Sequence, residues 1–265
     1  MTANIRYLYN SDTGIECIYC VDSNISYPLH NHVSVLTVGI VLEGTVVLTS
    51  NQGTRAYGKN DMFTILPYEP HTVSADKNYT MLSLCIDKNI IKQCSADMIY
   101  NNIADLLTNV SNIEEADCCR IMRLLRRKDM LVGFSDWKYV NPSPFINDLK
   151  CHLELFPEID ISIDEMARKA FISKFHFIRR FKAEVGLSPH RFQIQNRIRK
   201  AQRLIHQTET ITEVALTTGF YDQSHFIKQF EKCVGLSPMA YKSSSDIIRK
   251  DTAGQHKAGI NFANR

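Results

Sequence analysis

The chain has 265 residues, of which 44% are hydrophobic and 22% charged, with a formal net charge of +3. These proportions exclude a low-complexity or disordered chain and allow one large or two ordinary domains with buried cores. No apolar run approaches the roughly 18 residues of a membrane span.

The opening stretch, MTANIRYLYNSDTGIE, lacks a basic region followed by an apolar core, so no signal peptide is expected. Without an export signal, the eight cysteines read as reduced cytosolic thiols. Cys17 and Cys20 form a lone CxxC with no second ligand pair at matching spacing, which favours structural or surface thiols over a metal clasp. From about residue 25 to 86 the chain is rich in Val, Ile, Leu and Thr. Glu-Gly, Asn-Gln-Gly, Gly-Lys-Asn-Asp or Pro break it every few residues. Short strands with turn chemistry between them predict a small all-β sandwich or barrel.

The period changes near Ser95. Ile99, Ile103, Leu106, Leu107 and Val110 follow helical spacing, and a second helix opens with acids and closes with bases. These helices suit either a dimer interface or packing within the chain. A turn-rich break over 133–144 is the candidate linker, and from Pro144 to Tyr241 the pattern is helical throughout. The last twenty residues lack periodicity and are expected to fray. The predicted organisation is a β domain over 1–95, linking helices over 96–143, an all-α domain over 144–245 and a flexible tail over 246–265.

Charge is uneven along the chain. Residues 1–142 hold 12 Lys and Arg against 15 Asp and Glu, while residues 143–265 hold 19 against 13. Between Arg168 and Arg203 there are 11 basic residues and one acid, Glu184, which is where a polyanion would bind.

The same region contains a duplication. Residues 170–192 align with 219–241 at a fixed offset of 49, with 10 identities in 23 pairs. One structural unit is therefore used twice. In the first copy (about 162–185), Ser162 caps a short helix, a turn follows, Ser173 caps a second helix and Gly186 ends it. In the second (about 211–234), Thr212 is the predicted first cap, Gly219 makes the turn, Asp222 caps the second helix and Gly235 closes it. A one-residue difference in the turn explains why the match fades upstream of Ala170. Both copies read as helix-turn-helix motifs, whose second helix enters the DNA major groove. The positions expected to face bases are Lys174, Phe175, Ile178 and Arg179 in one copy and Gln223, Ser224, His225 and Lys228 in the other. Arg can grip guanine and Gln adenine in bidentate fashion, and apolar side chains suit the thymine methyl. His176 is expected to pack on the scaffold.

Between the copies, Ile194, Ile198, Ala201 and Ile205 form a buried stripe, with Arg191, Arg197, Arg199, Lys200 and Arg203 on the remaining faces. Sixteen helical residues span about 24 Å. With the width of a helix added, two recognition helices come near the roughly 34 Å between successive major grooves.

Residues 145–242 resemble the DNA-binding domain of the AraC/XylS family of bacterial transcription regulators, on AFISKFHFIRRFKAEVGLSPHRF and above all on GFYDQSHFIKQFEKCVGLSP. The resemblance implies a cytoplasmic activator or repressor, not an enzyme. It would read double-stranded promoter DNA through tandem motifs, and contact RNA polymerase where it activates. The segments PLHNHVSVLTVGIVLEG and NDMFTILPYEPHTV resemble the two motifs of a cupin barrel, through His30, His32, Gly44, Asp61, Pro67, Pro70 and His71. That implies an effector-sensing domain with His30, His32 and His71 at its site. In catalytic cupins a glutamate joins three histidines on a metal, but its expected place here holds Val35 or Leu36. The histidines therefore suit a small organic effector, or alternatively a divalent metal.

Overall fold

A computed structural model describes residues 4–10, 15–33, 35–108, 115–127 and 142–243. Nine strands come first: β1 (Asn4–Asn10), β2 (Ile15–Ser23), β3 (Tyr27–His30), β4 (Val35–Glu43), β5 (Val46–Ser50), β6 (Gly53–Tyr57), β7 (Met62–Ile65), β8 (His71–Ser74) and β9 (Tyr79–Asp87). They form a five-stranded sheet in the order β1-β2-β9-β4-β7 and a four-stranded sheet in the order β3-β8-β5-β6, and every pairing is antiparallel. The expected all-β domain is present. It begins earlier than the turn pattern indicates, because β1 and β2 add two strands before residue 25. Residues Ile15, Cys17 and Tyr19 of β2 are buried on one face and Cys20 on the other. A strand buried on both faces loses the polar alternation that marks a strand in sequence.

Helices α1 (Lys88–Gln93), α2 (Ala96–Thr108) and α3 (Glu115–Arg127) follow. Ile99, Ile103 and Leu107 of α2, with Ile121 and Leu125 of α3, pack on the outer face of the five-stranded sheet against Leu36, Val38, Leu82 and Leu84. Of the two roles open to these helices, their apolar stripes serve packing within the chain. Cys17 lies in that outer core and Cys20 in the inner one, so the CxxC cannot act as a clasp. The candidate linker over 133–144 lies largely outside the described residues, and the tail over 246–265 wholly so.

The remaining helices are α4 (Pro144–Leu155), α5 (Ile163–Lys169), α6 (Lys174–Val185), α7 (Pro189–Leu204), α8 (Ile211–Thr217) and α9 (Gln223–Val234). The pairs α5–α6 and α8–α9 are the two helix-turn-helix units, joined by α7. Ser162, Ser173 and Asp222 each accept a backbone N–H three residues on, and Gly186 and Gly235 end their helices with left-handed backbone. One cap differs from expectation. Thr210 caps α8, whereas Thr212 lies inside the helix and donates its hydroxyl to Oε1 of Gln223.

The turns differ by one residue, as the fading alignment implies. Backbone hydrogen bonds put Phe171 of the first turn where Gly219 stands in the second. Gly219 has φ +85°, and Phe171 has φ +54° with its side chain 96% exposed. Left-handed backbone costs a side-chain-bearing residue about 1–2 kcal/mol, and an exposed ring regains little of this by burial. Phe171→Gly should therefore raise the thermal midpoint by about 2 °C, after allowing for the greater unfolded-state freedom of glycine. A lower midpoint in a thermal melt would show that the ring makes stabilising contacts.

The barrel and the helical domain share cores. Ile5, Tyr7, Val46 and Met81 belong to one apolar cluster with Ile194, Ile198, Phe226 and Phe230. The rings of Tyr7 and Tyr241 lie 4.9 Å apart, and the Tyr7 hydroxyl donates to the carbonyl of Val234. Tyr68 joins a second cluster with Ile146, Phe177 and Phe192, and the Lys150 ammonium sits 4.1 Å over its ring. The stripe of Ile194, Ile198, Ala201 and Ile205 is buried as its spacing predicts. It faces both the second helix-turn-helix unit and the barrel.

Candidate nucleic-acid interface and sensor site

Each recognition helix buries one face and presents the other. Phe177, Phe181 and Val185 of α6 are buried, as are Phe226, Phe230 and Val234 of α9. Lys174, Phe175, Arg179, Gln223, Ser224, His225 and Lys228 are exposed, and Ile178 is half-buried. Phe175 is 77% exposed, so it does not cover the core. His176 is exposed too, contrary to the expectation that it packs on the scaffold. Two of the outward side chains are held from behind. Lys174 Nζ lies 2.7 Å from Asp164 of α5, and Gln223 accepts the Thr212 hydroxyl of α8 at 2.8 Å.

The basic segment is less free than its composition suggests. Acids just upstream of it supply partners: Lys169 pairs with Glu165, Lys200 with Glu158 and Arg197 with Asp160. Arg197 is buried and also donates to the carbonyls of Pro157 and Gly219, so it ties α7 to the second turn. Arg191 donates to the carbonyl of Leu29, and Arg199 to that of Asn31, at 2.9 and 2.6 Å. These two arginines hold the barrel. Burial lowers the Arg199 guanidinium to about 10, against the opposing pull of Cys85 and Glu16.

Asn31 is fully buried between the domains. Its N–H donates to Oε1 of Gln195, and Nε2 of Gln195 donates back to its carbonyl and, at 2.9 Å, to its Oδ1. Its own amide donates to the carbonyl of Val185 at the end of α6. No short-range pattern marks Asn31 or Gln195 in the sequence, because their partners are 164 residues apart.

On either side of Asn31, His30 and His32 meet His71. The ring centroids of His30 and His71 lie 4.2 Å apart, those of His30 and His32 5.1 Å, and those of His32 and His71 5.0 Å. His30 and His71 are direct partners across β3 and β8. β3 ends at His30, and His32 reaches the site from the following segment. Nδ1 of His30 donates to the Pro28 carbonyl and Nδ1 of His71 to the Glu69 carbonyl, while Nδ1 of His32 is hydrogen-bonded to the Thr37 hydroxyl. Burial, and then the neighbouring imidazole of His71, push His30 down to about 3. His32 and His71 are lowered as well, mainly by burial. The three rings are therefore neutral near pH 7. Around the place of the cupin glutamate, Leu36 points into the outer core and Thr37 stands beside His32.

Next to His30, a cleft of about 260 Å³ opens between barrel and helical domain. Tyr27 and Leu29 form one wall, Arg191 and Ile194 of α7 another, and Gln229 and Lys232 of α9 the third.

A sensing barrel fused to two helix-turn-helix units defines a two-domain regulator-type architecture. Residues 13–116 match the model of an AraC-like ligand binding domain, and residues 166–244 match that of a helix-turn-helix domain. Together the two matched models cover most of the chain, one over each domain. It is 43% identical over 65 residues to the HTH-type transcriptional regulator MtrA of Neisseria gonorrhoeae, covering 24% of this chain and 22% of MtrA. It is 29% identical over 98 residues to the probable transcriptional regulator LumQ of Photobacterium leiognathi, covering 37% and 38%. The chain thus matches well under half the length of either relative. A crystal structure of an apo form of ToxT from Vibrio cholerae shares the two-domain fold, with a TM-score of 0.56 and 11% identity, over 89% of this chain and 98% of that one. Among the described residues, no helix is long and apolar enough to cross a membrane.

Proposed function

We propose that the chain is a cytoplasmic, sequence-specific regulator of transcription that reads two adjacent major grooves with α6 and α9. The observation that carries this reading is the pair of recognition helices, each capped and packed alike, with the outward faces uncovered while the barrel is docked. Lys174, Phe175, Ile178 and Arg179 would meet one groove, and Gln223, Ser224, His225 and Lys228 the next. Promoter DNA is the partner, with RNA polymerase a further one where the chain activates. One chain carries both readers, so a homodimer is not required for two-groove contact. No step of this reading needs catalysis.

The effector is a small organic acid held in the cleft between the domains. Arg191 and Lys232 supply positive charge there, while Tyr27, Leu29 and Ile194 supply apolar wall. His30 lines this cleft, with His32 and His71 behind it. A ligand in this position touches both domains, which is what an effector needs to favour one conformational state over another.

Genome-wide occupancy of the full chain would identify its sites, and fluorescence anisotropy on one such site would then test the interface. Affinity should fall linearly with salt on logarithmic axes. The slope should correspond to fewer phosphate contacts than the 11 basic residues between Arg168 and Arg203, because several of them are internally paired. Binding without sequence preference, or without salt dependence, would overturn this reading.

A further inference from the structure

The three histidines pose a chemical problem that an organic acid in the cleft does not solve. A carbonyl oxygen can only accept, so Nδ1 of His30 and Nδ1 of His71 must carry the ring protons that Pro28 and Glu69 receive. Their Nε2 atoms are then bare lone pairs. His32 is also engaged at Nδ1, by Thr37, so Nε2 is the nitrogen it has left to offer. One nitrogen from each ring lies within 4.8 Å of the others. Three neutral imidazoles held this close can offer lone pairs to a single cation, and His71 is only 1% exposed.

The geometry points to a divalent transition-metal site formed by His30, His32 and His71. Neutral imidazole is the ligand form that Zn²⁺, Co²⁺ and Ni²⁺ take. Metal-bound histidines commonly donate their second nitrogen to a backbone carbonyl, which fixes tautomer and ring direction, and two of these three do so. Tetrahedral coordination with metal–nitrogen bonds near 2.0–2.1 Å needs nitrogens about 3.3 Å apart. The nitrogens lie at most 4.8 Å apart, so a bound ion would have to draw them closer together. Among the described residues no carboxylate completes the set, so the site has three protein ligands and leaves a coordination position for water or an anion, a position His30 places beside the cleft. The site stands independently of the DNA-binding reading, since none of its ligands lies in the helical domain.

Co²⁺ added to the full, chelator-stripped chain tests the site directly. A visible absorption of tetrahedral type should rise and saturate at one equivalent, and Zn²⁺ should displace it. No thiolate charge-transfer band should appear, because none of the eight cysteines is among the proposed ligands. His30→Ala, at a half-buried ring, should weaken binding at least tenfold, on the order seen for damage to a metal site. His32→Gln should do the same, with circular dichroism checking the fold of each. His176→Ala, at an exposed ring on α6 outside both the trio and the cleft, should bind as the parent does. No saturable binding, a thiolate band, or unchanged affinity in both trio variants that remain folded would overturn the proposal. DNA binding is read separately by anisotropy, so failure of either idea leaves the other standing.

Discussion

Arg179→Ala and Gln223→Ala are each expected to weaken binding to the cognate site by about 1–3 kcal/mol, roughly fivefold to 150-fold, and to relax base preference in different halves of it. Both side chains are exposed on recognition helices whose opposite faces are locked by buried phenylalanines. Arg179 is free to place its planar fork against a guanine edge. Gln223 comes partly oriented: the Thr212 hydroxyl occupies one lone pair of Oε1, leaving the second lone pair and the NH₂ for an adenine. Thr212→Val should consequently reproduce part of the Gln223→Ala loss. Selection of bound sequences from a randomised pool would separate the two positions. The altered base pairs should lie about one helical turn apart. If both substitutions changed the same base pairs, the two-groove reading would be wrong.

Gly219→Ala should be strongly destabilising. The φ of +85° alone penalises alanine by about 1–2 kcal/mol. An added Cβ would also stand 2.7 Å from the backbone of Glu158, which cannot swing aside as a side chain can. Arg197 holds that segment by bonds to Pro157 and Asp160 while gripping the Gly219 carbonyl itself. Overlap of this kind adds about 1–3 kcal/mol. Together these lower the thermal midpoint by on the order of 10 °C. A drop no larger than the left-handed penalty alone, measured beside Phe171→Gly, would show that the 157–160 segment yields.

The parts of this fold that could be read in advance are those whose causes are local. Ser162, Ser173 and Asp222 cap helices because each side chain bonds a backbone N–H three residues away. Gly186 and Gly235 end helices because the backbone there is left-handed. Thr210 and Thr212 are both plausible caps by type, and the choice between them depends on where α8 meets α9. β1 and β2 escaped notice because both of their faces are covered. The histidine trio was legible through the resemblance to cupin motifs, yet the loop that delivers His32 was not. Above all, charge counting treats every arginine as solvent-facing. Arg191, Arg197 and Arg199 are instead committed to carbonyls of the barrel, of the segment before α5 and of the second turn.

The clamp on Asn31 has a thermodynamic corollary. The residue that separates His30 from His32 is bonded to the middle of the helix joining the two DNA readers. Whatever shifts one end of that bond network does work on the other. If occupancy of the barrel or cleft changes operator affinity by some factor, operator DNA must change the affinity for the occupant by the same factor. The promoter is then an effector of the sensor, and a sensor affinity measured on the free protein describes only the molecules not on DNA.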